Sequence, residues 1–179
     1  WEIPWNRYGC RLGLGPMRPT SRGFLTLASA DPYVYPIIQF NYCSTEDDRF
    51  AMRKCLTIAR NIMRQPAFAT FRLTEVEPGS KVVTPLEINA WVRETASTAW
   101  HPTGTCRMGN PADNTTVVAP CTSVLGVEGL RVVDASIMPS IVSSNPNAVV
   151  MMMAERASDF ILDRCGLRTE DAAFYGNDD

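Results

Sequence analysis

GLRVVDASIMPSIVSSNPNAVVMMMAERASDFI, residues 129–161, sets two apolar patterns of different period one after the other. In its first eight residues Leu130, Val132 and Val133 make a short buried-strand pattern that ends on an acid, Asp134, followed by the small residues Ala135 and Ser136. After Asn145-Pro146-Asn147 the apolar positions Val149, Val150, Met153, Ala157, Phe160 and Ile161 recur at helical spacing. That predicts a helix over 147–164, with Gly166 as its C-terminal stop. A strand feeding a helix in this way looks like a piece of an α/β layer.

Upstream, the pattern differs. FLTLASA, residues 24–30, alternates as a half-buried strand does, and YPIIQFNY, residues 35–42, gives a second strand after the Asp31-Pro32 turn. A helix is expected next, capped by Ser44, with Glu46, Asp47 and Asp48 at the positive end of its dipole and Pro66 at its end. Its apolar positions are Met52, Cys55, Leu56, Ala59, Ile62 and Met63. Beyond the Pro78-Gly79 turn, Thr84-Pro85-Leu86-Glu87 is a capping box with proline at the first helical position, so a helix should run to Thr95. Residues 103–124 read as loop. The expected class is therefore α+β, an antiparallel-sheet domain with flanking helices plus a C-terminal strand and helix that belong to a different, α/β layer. The domain reading is an irregular lead-in at 1–22, a domain at 23–128, the strand and helix at 129–166, and a polar tail at 167–179.

The 179 residues are 45% hydrophobic and 20% charged, with a formal net charge of −2. This composition supports one buried core and speaks against disorder. Lys and Arg are scattered, which argues against nucleic acid as a partner, and no apolar run approaches the roughly 18 residues needed to span a bilayer. The chain opens WEIPWNRYGC, without Met, and is expected to be a fragment of something longer. The compartment leans cytoplasmic, with secretion open.

Six cysteines, at 10, 43, 55, 106, 121 and 165, include no C-x-x-C, so no metal site is expected. They read as reduced core thiols, although Cys106 and Cys121 could pair in an oxidising compartment. Asn114-Thr115-Thr116 is a glycosylation sequon that matters only in a secreted chain. Gly13-Leu14-Gly15 is followed by Pro16 and lacks the third glycine of a dinucleotide loop. No G-x-S-x-G elbow is present, which removes the serine-hydrolase reading.

The chemistry concentrates in two places. TAWHPTGTCRMG, residues 98–109, holds His101, the one histidine of the chain, with Pro102 and Gly104 shaping the backbone after it. Imidazole is the side chain best suited to accept a proton near neutral pH, although a lone histidine also serves as a structural hydrogen-bonding group. Asn145-Pro146-Asn147 stands at the start of the last predicted helix, where backbone N–H groups and the helix dipole favour negative charge; Asn145 or Asn147 could equally be a simple cap. Asp134 at a strand's carboxyl edge could face a ligand crevice or close a turn. The Met151 to Met153 run reads as core.

HPTGTCRMG followed by GVEGLRVVDASIMPSIVSSNPNAVVMMMAERASDFI resembles the C-terminal part of the glucose-methanol-choline flavin oxidoreductases, of the choline dehydrogenase and alcohol oxidase type. SRGFLTLASADPYVYPIIQFNY and ARNIMRQPAF look like the start of that family's substrate domain, and the resemblance covers about residues 20 to 165. It implies an FAD cofactor held mainly by an upstream Gly-rich region, with the strand and helix at 129–166 completing the FAD domain. It implies oxidation of a small-molecule alcohol by hydride transfer to the flavin, with oxygen or a quinone- or dye-type acceptor taking the electrons. His101 would be the base and Asn145 the hydrogen-bond donor to the substrate oxygen. Pro146 and Asn147 would face the flavin ring, and Asp134 and Ala135 the ribityl and pyrophosphate portion. Trp100, Tyr33, Tyr35 and Phe40 are candidates for pocket walls or core. The isolated chain is expected to be inactive. The alternatives are a hydroxynitrile lyase on the same scaffold and a non-catalytic binding module.

Overall fold

The computed structural model describes residues 9–71 and 73–166. In chain order these form β1 (Phe24–Thr26), β2 (Ile37–Gln39), α1 (Glu46–Met63), a 3-10 helix (Pro66–Phe71), α2 (Pro85–Thr95), a 3-10 turn (Ala135–Ile137) and α3 (Asn147–Ile161). The chain divides into two compact units, Trp1–Trp100 with Val142–Ser144, and His101–Ile141 with Asn145–Asp179.

In the first unit the two strands are antiparallel, pairing Phe24 with Gln39, Leu25 with Ile38 and Thr26 with Ile37. Both are shorter than the alternation suggested, and all six residues are exposed. Gly23 explains the entry to the ribbon: a Cβ there would lie 2.1 Å from the Gln39 carbonyl oxygen, so only glycine permits the approach. Tyr33 and Tyr35 lie almost wholly in solvent.

The core of this unit is Leu56 of α1 against Ile88 and Val92 of α2, with Leu14, Met52, Val82 and Trp91 packed around it. Leu56 and Ala59 give α1 its buried stripe, whereas Ile62 at the end of the expected apolar face is exposed. The cap of α1 is Thr45, one residue beyond Ser44: its backbone is extended, φ −90° and ψ 156°, and its hydroxyl accepts from Asp48 N–H. The capping box at α2 forms as expected, the Thr84 hydroxyl accepting from Glu87 N–H and the Glu87 carboxylate accepting from Thr84 N–H at 2.9 Å. Two polar contacts fasten α1 to its surroundings. Arg53 donates to Asn89 of α2 at 2.9 Å, and the Arg60 guanidinium clasps both oxygens of Glu75, the shortest contact being 2.7 Å.

The second unit carries the main correction to the sequence reading. Residues 129–136 do not form a strand. Gly126 and Gly129 both take positive φ, 76° and 70°, and turn the chain back so that Ser123 and Arg131 make an isolated antiparallel bridge. Val124 N–H donates to the Leu130 carbonyl and Val132 N–H to that of Thr122. Leu130 is exposed, and the segment ends in the 3-10 turn over Ala135–Ile137 instead of continuing extended. A buried strand needs ladder partners on its flanks, and the described residues supply only this local return.

Val118 and Ile137, both fully buried, and the nearly buried Met138 and Ala157 make the core here. Val118 bridges both Met108 and Val124, so the loop predicted over 103–124 is tied into a small irregular mesh. Helix α3 stops at Ile161, short of Arg164. Asp163 at φ 51° and the bond from Arg164 N–H to the Asp159 carbonyl close it in a Schellman arrangement, and Gly166 plays no part in that stop. The expected polar tail at 167–179 lies outside the described residues.

All six cysteines are free, so Cys106 and Cys121 are not paired. The core-thiol reading fails for Cys10, Cys121 and Cys165, which are exposed, whereas half-buried Cys43 packs against the core of the first unit. Asn114 of the sequon sits in an exposed turn. No helix among the described residues is long and apolar enough to cross a membrane. Nor does any group of three or more His, Cys, Asp or Glu among them stand where it could hold a metal.

Candidate active site

His101 and Asn145 both belong to the second compact unit. His101 is half-buried and follows Trp100, whose backbone takes φ 63° and whose ring is exposed. A positive φ at a tryptophan is strained, and such residues gather where a loop must aim a side chain. The Trp100 N–H is held by the Thr98 hydroxyl at 2.9 Å, which fixes the approach to the histidine.

After His101 the loop is anchored to the 3-10 turn. Cys106 N–H donates to the Ser136 carbonyl at 3.0 Å and Met108 N–H to the Ile137 carbonyl at 2.8 Å. Gly104 takes φ 87°, and a Cβ there would lie 3.4 Å from the Met138 carbonyl oxygen. The candidate base and the turn proposed to approach a cofactor are thus parts of one hydrogen-bonded piece. We expect Gly104→Ala to lower stability by about 1–2 kcal/mol, the cost of forcing a Cβ into left-handed backbone. Gly13→Ala, where nothing lies within 4 Å and φ is not positive, should be close to neutral. Urea denaturation of both variants checks this, and equal midpoints would remove the strain argument.

Asp134 caps the 3-10 turn, its Oδ1 accepting from Ser136 N–H at 2.7 Å. Of the two readings left open for this acid, closing a turn is what its geometry does. Ala135, the first residue of the turn, is half-buried. Pro146 is buried and stands at the cap position of α3, where no side-chain hydrogen bond closes the first turn. The cap residue is thus Pro146, and neither asparagine occupies that position. The Asn147 amide instead reaches Met151 Sδ at 3.8 Å, one turn along its own helix. Asn145 is exposed. A helix start whose cap residue carries no side-chain acceptor gathers backbone donors and the positive end of the dipole, which suits an electron-rich group. The Met151 to Met153 run is mostly on the surface, with Met151 64% and Met152 58% exposed, so it is not core.

Sequence reasoning missed the anchoring of the histidine loop through main-chain bonds to residues 136–138. Gly104 was the available signal. It also missed Arg107, whose Nε is buried without a partner while its carbonyl accepts from both Val117 and Val118 N–H, making it a structural node of the mesh.

The family model described as GMC oxidoreductase matches residues 19–154, and the chain belongs to that family. It is 49% identical over 174 residues to the mitochondrial choline dehydrogenase of Homo sapiens, covering 97% of this chain and 29% of that protein. Among solved structures it resembles pyridoxine 4-oxidase from Mesorbium loti, with a TM-score of 0.77, 31% identity, and coverage of 84% of this chain and 29% of that one. It also resembles an FAD-dependent oxidoreductase from Chaetomium thermophilum, with a TM-score of 0.76, 30% identity, and coverage of 82% and 25%. The chain thus spans under a third of the length of these relatives.

Proposed function

We propose that this chain is the C-terminal part of an FAD-dependent enzyme that oxidises the CH–OH group of a small-molecule alcohol. What supports the reading is the presence, in one compact unit of a chain of the GMC oxidoreductase family, of both the His101 loop and the start of α3 at Asn145-Pro146-Asn147. The donor set fits a flavin: backbone N–H groups at the start of α3 suit the electron-rich edge of the ring system, and Pro146 and Asn147 would border it. Asp134 and Ala135 would lie toward the rest of the cofactor, held in place by the 3-10 turn. Bound FAD would supply the acceptor for the hydride leaving the carbinol carbon.

The residues of this chain supply the proton chemistry. A neutral alcohol losing hydride would become a protonated carbonyl, so taking the hydroxyl proton lowers the barrier, and His101 takes it. Asn145 donates a hydrogen bond to the substrate oxygen as negative charge grows there. Asparagine cannot act as a base, so the proton goes to the imidazole.

The ribbon of β1 and β2 supports the wider architecture. Two three-residue strands with every residue exposed cannot stabilise themselves. In the proposed reading they join a larger substrate-domain sheet, while the segment from 129 to 166 completes the FAD domain, both drawing on the length by which the relatives exceed this chain. Choline is the first alcohol to assay, given the named relative. In anaerobic mixing of the full-length protein with choline and a panel of other small alcohols, bleaching of the flavin absorbance is the expected outcome. Cyanide release from a cyanohydrin without bleaching would replace the reading by a lyase, and failure of flavin to co-purify would replace it by a binding module.

A further inference from the structure

A second candidate site lies wholly in the first compact unit, between the end of β2 and helix α2. A cavity of about 390 Å³ opens there, within the range of roughly 300–1,000 Å³ usual for small-ligand sites. Its lining includes Phe40, Tyr42, Arg49, Asn89, Val92 and Arg93, and among the described residues that line it there is no carboxylate.

The polar groups are mostly donors with fixed directions. Arg49 is clamped by three acceptors: its Nε donates to Glu46 at 2.9 Å, and its Nη1 to the Cys43 and Ser44 carbonyls at 3.1 and 2.8 Å. That leaves Nη2 with no partner among the described residues, on a guanidinium that cannot swing away. Asn89 has its Oδ1 occupied by Arg53 at 2.9 Å, which turns its NH₂ group the other way. Arg93 makes no hydrogen bond or ion pair among the described residues. Glu46, the carboxylate bonded to Arg49, is shared with Arg53. Cys43 adds no negative charge, since burial, reinforced by Asp48, pushes its thiol up against the opposing pull of Arg49. The surplus in the cavity is therefore positive.

The apolar part has its own shape. Phe40 and Tyr42 are stacked with centroids 5.0 Å apart and planes within 8°, and Val92, 3% exposed, stands among the lining residues. A guanidinium recognises a planar anion through two parallel N–H donors, and the outer face of a stacked ring pair gives a flat apolar surface on which a ring or short chain can lie. We propose that this cavity binds a small carboxylate with a flat apolar body, its carboxylate taken by Arg49 and Arg93 with help from the Asn89 amide.

The test is a calorimetric and amide-resolved NMR titration of the full-length protein with benzoate, with benzamide as the neutral isostere. Saturable one-site binding of benzoate is expected, at least tenfold tighter than that of benzamide. Shifted amides should be confined to residues 38–43 and 89–96. Arg93→Gln should weaken benzoate at least fivefold. Asn89→Asp, which keeps an acceptor for Arg53 but turns the donor into an anion, should weaken it at least tenfold while circular dichroism stays unchanged. Benzamide binding as tightly as benzoate, shifts centred elsewhere, no saturation, or indifference to both substitutions would each overturn the site.

Discussion

His101→Gln in the full-length enzyme is expected to lower kcat/KM for alcohol by roughly 10²–10⁴-fold, the contribution typical of a positioned general base. Glutamine keeps the polarity and much of the volume of the imidazole but cannot accept a proton under working conditions, so the loss would report proton transfer and not a collapsed loop. The loop itself is held by the Cys106 and Met108 main-chain bonds to residues 136 and 137, which the substitution leaves alone. Flavin content should therefore be unchanged, and the loss should fall on the rate of anaerobic flavin reduction more than on KM. A variant that reduces its flavin within about tenfold of the wild-type rate would remove the histidine from the role of base. Loss of flavin together with activity would instead make the residue structural.

What was legible in the sequence divides by the range over which the responsible interaction acts. The capping box at Thr84 and Glu87 spans four residues and appears where it was expected, as does the run of α1 toward Pro66. The shift of its cap from Ser44 to Thr45 is also local, set by which of two adjacent hydroxyl residues takes the extended backbone, a choice that leaves no mark of its own in the sequence. The apolar run at Leu130, Val132 and Val133 was legible as apolar and misleading as strand. Periodicity reports which residues avoid water, while a ladder depends on what lies alongside. Here two glycines with positive φ send the segment back toward Thr122 and Ser123. In the candidate site, the chemical types of His101 and Asn145 were readable from the chain. The bonds that steady the histidine loop were not, because they come from carbonyls some thirty residues away and main-chain acceptors have no sequence signature. The acids at the start of α1 show the same limit: dipole logic gives all three one purpose, whereas one of them is buried.

That acid is Asp48, and its removal should have the largest effect on stability in the first unit. It is 3% exposed, in the first turn of α1. Its Oδ1 accepts from Thr20 N–H at 2.7 Å and from the Thr20 hydroxyl at 3.0 Å, and its Oδ2 from Ser21 N–H at 2.9 Å. One carboxylate thus pins the segment leading into Gly23 and β1 onto the helix, across 28 residues of sequence. Asp48→Ala would strand two backbone donors and a hydroxyl. Thr20 is exposed and Ser21 half-buried, so water reaches part of the freed donors; at about 1–3 kcal/mol for a buried group left unsatisfied, a total loss of about 1–3 kcal/mol is expected in urea denaturation. Burial by itself would raise the pKa of this carboxyl, but the hydrogen bonds from Ser21 and Thr20 outweigh it and hold the group below the ordinary aspartate range. With the folded-state pKa depressed, the unfolded chain binds more protons over the interval between the two pKa values. The stabilisation is therefore complete above the unfolded value, near pH 4, and drains away as pH falls through the folded one. The stability gap between wild type and Asp48→Ala should accordingly be full at pH 7 and narrow steadily below about pH 4. A gap that stays constant into acid would show that the carboxylate's charge contributes nothing to the pinning, and no gap at pH 7 would show that Thr20 and Ser21 find other acceptors.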